Sequence, residues 1–382
     1  MSADGGLERS DAPAPAGTSL ADAFADWKIR RLADPRFRRF AARFWPTRFV
    51  ARRAAADLFD LTAGFVYSQV LAGFVRLRLP GLLHAAPRRL EEVAARIGLP
   101  ADRTERLLEA AAALGLARRR RDGRWGLGER GAALVGNDGV TAMIEHHALL
   151  YEDLRDPVHL LASDGETALS RFWSYAARDP GAAGESASYS ALMEASQAFV
   201  ADEVLDVLPL SGHHRLMDVG GGTGAFVAAA ARRSAGIGLI LADLPDVAAL
   251  ARTRLSARGL ASRIRVHGVD VFADPLPAGA DIVTLNRVLH DHDEPAALAI
   301  LAAVRAALPA GGTLAIAEPM AGTPGAERSG HAYFGFYLLA MRQGRPRRFE
   351  ELARMVEAAG FRRVRERPTA TPLLVRVLCA QA

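Results

Sequence analysis

The feature that most constrains this chain is a glycine-rich loop over residues 220–224, which directly follows the largely apolar segment 216–219. Glycine adopts positive φ angles without steric cost and lets the backbone approach a ligand closely. An apolar strand that ends in such a loop before a helix is typical of an open α/β sheet, which binds its ligand at the carboxyl ends of its strands. The loop fits both G-x-G-x-G and the dinucleotide fingerprint G-x-G-x-x-A, so S-adenosylmethionine and a nicotinamide dinucleotide are both open at this point.

Three acidic residues narrow the choice of cofactor. Asp243 follows the second predicted strand, where a carboxylate can accept hydrogen bonds from both ribose hydroxyls of either cofactor. Asp270 follows the third strand, where it can accept from the adenine amine or cap its own loop. Asp218 precedes the glycines, and a carboxylate there suits a positively charged sulfonium better than a pyrophosphate. The sequence therefore predicts S-adenosylmethionine bound by Asp218, Gly220, Gly222, Gly224, Asp243, Leu244, Asp270, Val271, Phe272 and Asn286.

Strand and helix patterns alternate through residues 206–382, as in a parallel sheet with crossover helices. We predict strands over residues 215–219, 238–242, 263–267, 282–285, 313–317, 361–367 and 373–380, and a helix over residues 350–359. The expected fold class is α/β, with a seven-stranded Rossmann-like domain.

The preceding region, residues 61–205, is predicted to be helical with one small β element. Helices over residues 90–97 and from 101 to about 114 precede a hairpin centred on Asp122-Gly123, a strong two-residue turn signal. Two helices followed by a hairpin form a winged helix. Such a fold can bind DNA, but the second helix here is too apolar to lie in a major groove, which favours a dimerisation role and no nucleic-acid partner.

The N-terminal region carries a basic arm over residues 20–60. Between residues 27 and 53, ten cations are interspersed with six large aromatic residues. That mixture suits either an anionic lipid surface or packing on a partner subunit, and both interpretations stay open. Residues 1–19 are predicted to be a disordered tail without the apolar stretch of a secretory signal.

The single cysteine, Cys379, leaves no intramolecular disulfide and no thiolate metal site, which favours a cytoplasmic protein without a bound metal. The longest apolar runs fall short of the ~20 residues that a membrane span needs. Any membrane contact is therefore expected to be peripheral, at the inner surface.

Three motifs together resemble the small-molecule O-methyltransferase family: Asp-Val-Gly-Gly-Gly-Thr-Gly at residues 218–224, Ala-Asp-Leu-Pro-Asp-Val at 242–247 and Arg-Val-Leu-His-Asp at 287–291. The resemblance implies a homodimer with a winged-helix dimerisation domain ahead of the Rossmann-like domain. It also implies that His290 is the general base, that Asp291 lies beside the cofactor and that Glu318 orients the histidine. A neutral imidazole held by a carboxylate can remove the proton of an alcohol as the carbon–oxygen bond forms.

Two positions depart from the family pattern. Pro346 stands where a second acid is usual, so another residue is expected to brace the base. His292 replaces a tryptophan, and we interpret it as an exposed loop histidine rather than a second proton carrier.

A narrower resemblance, carried by the arm and by residues 332–341 and 344–347, is to the bacterial carotenoid O-methyltransferases. It implies a small apolar acceptor, the hydroxyl of a hydroxylated acyclic carotenoid such as demethylspheroidene. The expected acceptor lining, each member of which could equally be core or dimer packing, is Phe172, Tyr189, Met193, Phe334, Phe336, Tyr337 and Met341. The alternatives are a soluble phenol or polyketide acceptor, a nicotinamide-dependent oxidoreductase, which lacks its Tyr-x-x-x-Lys pair here, and a ligand-sensing winged-helix regulator.

Overall fold

A computed structural model describes residues 19–172, Gln197 and residues 200–382. Residues 1–18 of the predicted tail, together with Tyr189 and Met193, lie outside the described residues. The chain divides into two compact units, Met1–Val70 and Leu71–Ala382.

The described part of the first unit consists of helices joined by short turns. Helix α1 spans Leu20–Ala33, α2 spans Pro35–Arg43 and α3 spans Arg48–Arg76. Side-chain caps at Ser19 and Asp34 begin the first two helices, neither of which contains a buried residue.

Helix α3 is the one helix of the described chain that is long and apolar enough to cross a membrane, judged by length and composition alone. Only 17% of its most apolar stretch is buried. Counting uninterrupted apolar runs missed it, because Asp57 and Asp60 break the run within one continuous helix.

The predicted winged helix is confirmed. Helices α4 (Leu79–Ala85), α5 (Leu90–Ile97) and α6 (Ala101–Ala113) are followed by the antiparallel pair β1 (Ala117–Arg119) and β2 (Trp125–Leu127). The hairpin packs on the helices and buries Trp125, which is only 2% exposed. Helices α7 (Glu129–Ala132), α8 (Asp138–Asp153) and α9 (Pro157–Ala162) continue the chain.

The predicted seven-stranded sheet is also confirmed. Its strands are β3 (Arg215–Val219), β4 (Gly238–Asp243), β5 (Ile264–Gly268), β6 (Ile282–Asn286), β7 (Thr313–Glu318), β8 (Arg362–Arg367) and β9 (Arg376–Gln381). Their order is β5-β4-β3-β6-β7-β9-β8, and β9 runs antiparallel to both of its neighbours. The last strand begins later than predicted, because the residues before it form a turn in which the Leu374 amide donates to the Thr371 carbonyl.

The helices that pack on the sheet are α10 (Ala225–Arg233), α11 (Pro245–Ala257), α12 (Glu294–Ala307) and α14 (Phe349–Ala358). Helix α13 (Gly335–Met341) packs on α8 and α9 instead, and the chain also has a 3₁₀ turn at Leu289–Asp291 and a π-helix at Arg328–Phe334. Alternate residues of β3 enter two separate cores, as Met217 faces one cluster and Leu216 the other. Strand order reverses at β3, between β4 and β6, which is where an open α/β sheet leaves a crevice for its ligand.

Candidate active site

The glycine-rich loop lies in this crevice, between β3 and α10. Gly220, Gly222 and Gly224 have φ angles of 70°, 56° and 88°. A Cβ at Gly220 would come within 2.7 Å of the Val288 side chain, whereas one at Gly222 would meet nothing within 4 Å. The loop conformation therefore requires glycine, and its middle faces open space that a ligand can enter.

A cavity of about 160 Å³ opens beside this loop. Six predicted cofactor residues line it: Gly220, Asp243, Leu244, Asp270, Val271 and Phe272. The rest of the lining was missed by sequence reasoning: Val219, Ala242, Val269, Leu276, Val288, His292 and Ile300. Of the other predicted cofactor residues, Gly222 and Gly224 belong to the adjoining loop, and Asp218 and Asn286 lie beneath it on neighbouring strands.

The two acids in the cavity are already engaged with backbone. Asp243 accepts hydrogen bonds from the amides of Gly222 at 2.7 Å and Leu244 at 2.8 Å, which opposes the rise in its pKa caused by burial. Asp270 accepts from the Phe272 amide at 3.0 Å, so it caps its own loop while also lining the cavity. Each carboxylate oxygen has further lone pairs for a ligand.

Asp218 offers the clearest test of whether S-adenosylmethionine fits. Its Oδ1 accepts from Thr284 Oγ1 at 2.7 Å and from Asn286 Nδ2 at 2.8 Å. Its Oδ2 and the Oδ1 of Asn286 are buried acceptors that lack a hydrogen-bond partner within the described part of the chain. Burial raises the pKa of Asp218 to about 7. Unpartnered buried acceptors are costly, so a cationic ligand group, such as the methionyl ammonium, suits this position.

His292 belongs to the cofactor cavity instead of being an exposed loop residue. Its ring meets the Phe272 ring edge-on, with centroids 5.6 Å apart. Burial lowers its pKa, so the imidazole is neutral at physiological pH. The interpretation as an exposed histidine is wrong because it ignored the cavity wall that the Asp270–Phe272 loop builds opposite.

His290 lies in the 3₁₀ turn after β6 and is 3% exposed. Its Nε2 is 3.1 Å from Asp291 Oδ1, and its Nδ1 is 3.7 Å from Glu318 Oε1. The buried Glu318, at the end of β7, instead accepts a 3.0 Å hydrogen bond from the His290 backbone amide. Glu318 therefore holds the histidine through its backbone. Burial alone would lower the pKa of His290, but the carboxylates of Asp291 and Glu318 raise it to about 9.

This pKa predicts a pH dependence. A general base must be neutral, so kcat/KM for the acceptor should rise with pH and level off once His290 has lost its proton. A bound sulfonium adds positive charge, so at saturating cofactor the apparent pKa should fall between about 6.5, the usual histidine value, and the value of about 9 in the free protein. Rates measured from pH 6 to 10 on wild type and Asp291→Asn would check this. Asp291→Asn should move the profile to lower pH. A flat profile in wild type would contradict a titrating base.

The predicted acceptor residues that the structure describes lie around a polar cluster that sequence reasoning missed. Nε2 of His146 is 2.9 Å from the Tyr337 hydroxyl, and Nε2 of His147 is 2.7 Å from the Tyr333 hydroxyl. The Phe172 ring lies 5.1 Å from that of His146. The four-residue spacing of the tyrosines, one helical turn, was the available signal.

The remaining acceptor candidates are packed near this cluster. Tyr337 and Met341 are buried in one apolar core with Leu150 and Leu160, and Phe336 is half-buried against it. The Phe334 ring contacts that of Tyr333 at 5.0 Å. An acceptor role for these residues stays a prediction. Among the described residues, no group of three or more His, Cys, Asp or Glu side chains could hold a metal ion.

Comparison with known proteins decides the family. Residues 151–362 match the O-methyltransferase domain, and residues 59–137 match the O-methyltransferase dimerisation domain. This chain belongs to the O-methyltransferase family. The methyltransferase therefore uses S-adenosylmethionine as methyl donor, and its winged helix lies within the dimerisation domain, which supports a homodimer. A nicotinamide oxidoreductase and a DNA-binding regulator do not fit this family.

Two relatives and one solved structure show how far the similarity extends. The methyltransferase is 43% identical over 354 residues to demethylspheroidene O-methyltransferase of Cereibacter sphaeroides, across 92% of this chain and 93% of the relative. It is 43% identical to the enzyme of the same name from Rhodobacter capsulatus, across 87% of this chain and 83% of the relative. The structure of PigF with SAH superposes with a TM-score of 0.69 at 25% identity, covering 86% of this chain and 99% of PigF.

Proposed function

We propose that the methyltransferase transfers a methyl group to the hydroxyl of a hydroxylated acyclic carotenoid such as demethylspheroidene. The observation that carries this proposal is the 43% identity, over more than nine tenths of both chains, to an enzyme of that name. The aromatic and Met side chains around Tyr337 are compatible with an apolar acceptor. O-methylation of a soluble phenol or polyketide is the alternative.

In this proposal His290 is the general base. Its neutral imidazole takes the proton from the acceptor hydroxyl as the oxygen attacks. Bound S-adenosylmethionine supplies the electrophilic methyl group. Asp291 and Glu318, whose carboxylates lie 3.1 and 3.7 Å from the ring nitrogens, stabilise the imidazolium that results. Asp218, Asp243 and Asp270 are proposed to bind the ammonium, the ribose and the adenine ends of the cofactor.

A direct assay tests the acceptor. Purified protein is incubated with methyl-labelled S-adenosylmethionine and either detergent-solubilised demethylspheroidene or a soluble phenol. We expect label in the carotenoid and none in the phenol. Label in the phenol alone would overturn the carotenoid proposal but leave O-methylation intact.

We also propose that α1 and α2 dock on an anionic lipid surface, where an apolar carotenoid would be dissolved, so that the protein is cytoplasmic and peripheral at the inner membrane face. Large apolar side chains stand exposed on these helices, including Trp27 at 49% and Phe40 at 57%. Arginines such as Arg36, Arg38 and Arg39 are interspersed and exposed. Cations mixed with exposed aromatics match the chemistry of an anionic bilayer interface.

The apolar stretch of α3 that begins at the end of the arm has a different proposed partner. Phe59, Leu61 and Phe65 on α3 are 64%, 69% and 70% exposed. They fall within the matched dimerisation domain, and no arginine separates them. We therefore assign this apolar stretch to the partner subunit of the homodimer and the cationic stretch before it to lipid.

The lipid contact predicts a charge-dependent loss. Replacing Arg36, Arg38 and Arg39 with Gln should weaken binding to phosphatidylglycerol vesicles about tenfold, since each cation contributes about 1 kcal/mol or less after salt screening. Sedimentation with phosphatidylglycerol and with phosphatidylcholine vesicles would measure it. The matched control replaces three exposed arginines of β8, at positions 362, 363 and 365. Equal loss in both variants would mean that net charge, not the arm, governs binding.

A further inference from the structure

Arg347 is a buried cation whose partners are both on the turn that carries His290. It is 1% exposed, in the segment that joins α13 to α14. Its Nη1 donates to the Leu289 carbonyl at 2.6 Å and its Nη2 donates to the His292 carbonyl at 2.8 Å. Two of the three guanidinium nitrogens are used in this way, so one planar fork joins the two ends of the 289–292 turn. The buried Nε has no hydrogen-bond partner within the described residues.

The same segment approaches the turn closely at a second point. Gly344 has a φ of 71°, and a Cβ there would collide with the His290 carbonyl oxygen and lie 2.6 Å from the Asp291 carbonyl carbon. Only glycine allows this approach. The segment is itself fixed, because the Ala321 amide donates to the Arg347 carbonyl at 2.9 Å and the Arg348 amide donates to the Glu351 carboxylate at 2.8 Å at the start of α14.

We infer that Arg347 is a positioning residue that supplies, through backbone carbonyls, the bracing that the second acid would otherwise give at the position of Pro346. Arg347 binds one carbonyl directly before His290 and another two residues after it. It therefore fixes the backbone from which the imidazole projects. Glu318 holds the His290 amide from the opposite strand, so the turn is clamped at three backbone groups. This inference rests on the proposed role of His290 as the base.

The guanidinium also contributes charge. Burial lowers the pKa of Arg347, while the carboxylate of Glu318 opposes that effect. The same carboxylate helps to raise the pKa of His290. The carboxylates that act on the imidazole are those of Asp291 and Glu318, with neutral His292 close by, and Arg347 acts on the shared Glu318 carboxylate. Removing the guanidinium should therefore raise the apparent pKa of the base.

Steady-state kinetics and pH profiles on full-length variants would test the inference. Arg347→Met should lower kcat about 10- to 100-fold, because a misplacement of about 1 Å can cost ~10²-fold. The KM for S-adenosylmethionine should change less than kcat, since His292 is the one residue of the 289–292 turn that lines the cavity. The pH profile of Arg347→Met should shift upward. Arg347→Lys keeps the charge but cannot span two carbonyls, so its kcat should fall without a shift in the profile. Gly344→Ala should lower kcat likewise with the charge intact. Arg345→Met, at an exposed position two residues before, is the matched control and should behave as wild type.

The outcomes separate this inference from the proposed function. Wild-type kcat and an unshifted profile in both Arg347 variants would overturn the positioning role, provided that His290→Gln is inactive. Full activity of His290→Gln would overturn the proposed base itself. If Arg347→Met fails to fold, Arg347→Lys and Gly344→Ala decide: a wild-type kcat in both would overturn the inference, and a lowered kcat with normal binding of S-adenosylhomocysteine would support it.

Discussion

His290→Gln should lower kcat for methyl transfer by about 10²- to 10⁴-fold, the range that a positioned general base contributes. Glutamine keeps a polar side chain of similar reach but cannot take a proton. Its backbone amide can still donate to Glu318, so the turn should hold its shape. The readout is transfer of labelled methyl from S-adenosylmethionine to the acceptor.

Binding of S-adenosylhomocysteine should be unaffected, because His290 does not line the cofactor cavity. The control is His214→Gln, an exposed histidine just before β3, at the opposite end of the sheet from the cavity. Methyl transfer at the wild-type rate in His290→Gln would rule out this residue as the base.

Asp243→Ala should weaken S-adenosylhomocysteine binding about a hundredfold. The ribose hydroxyls would lose the hydrogen bonds that we propose they donate to this carboxylate. Hydrogen bonds to a charged group contribute about 1.5–3 kcal/mol each. It would also release the Gly222 amide, which shapes the loop. Isothermal titration measures the dissociation constant directly. NADH, titrated in parallel, should not bind to wild type.

Asp246→Ala is the matched control for this substitution, since Asp246 is an exposed acid in the first turn of α11. Its affinity should equal that of wild type. An unchanged dissociation constant in Asp243→Ala would remove Asp243 from the cofactor site, whereas equal weakening in both variants would point to a general loss of charge near the cavity.

Much of the fold could be predicted because local signals agreed with one another. The strand over 215–219 was predicted at its observed bounds, since its residues are apolar toward two cores and glycines end it at once. The hairpin at Asp122-Gly123 and the helix ended by Gly98 were equally local. Each of these features depends on residues within a few positions of one another, so periodicity and turn chemistry suffice to find it.

The candidate site was predictable only in part. The motifs located His290, Asp243 and Glu318, but not how they are held. Glu318 is predicted to orient the imidazole, and the structure adds a bond that the motif does not indicate, from the backbone amide 28 residues before it. Arg347 donates to the Leu289 carbonyl, 58 residues away in the sequence, and no residue pattern near Arg347 predicts that partner. Such contacts exist only after α13, α14 and the sheet have packed.

The sequence by itself determined the class of the fold, the glycine loop and the identity of the chemical groups. Those properties follow from side-chain polarity, from φ preferences and from spacing along the chain. The tertiary structure decided which groups lie next to one another. It brought His292 into the cavity beside the glycine loop and placed the Arg347 guanidinium between two carbonyls of the 289–292 turn. It also left Asp218 with a buried oxygen that has no hydrogen-bond partner within the described residues. The physical reason is that hydrogen bonding and burial act through space, between strands and loops that the chain order keeps far apart.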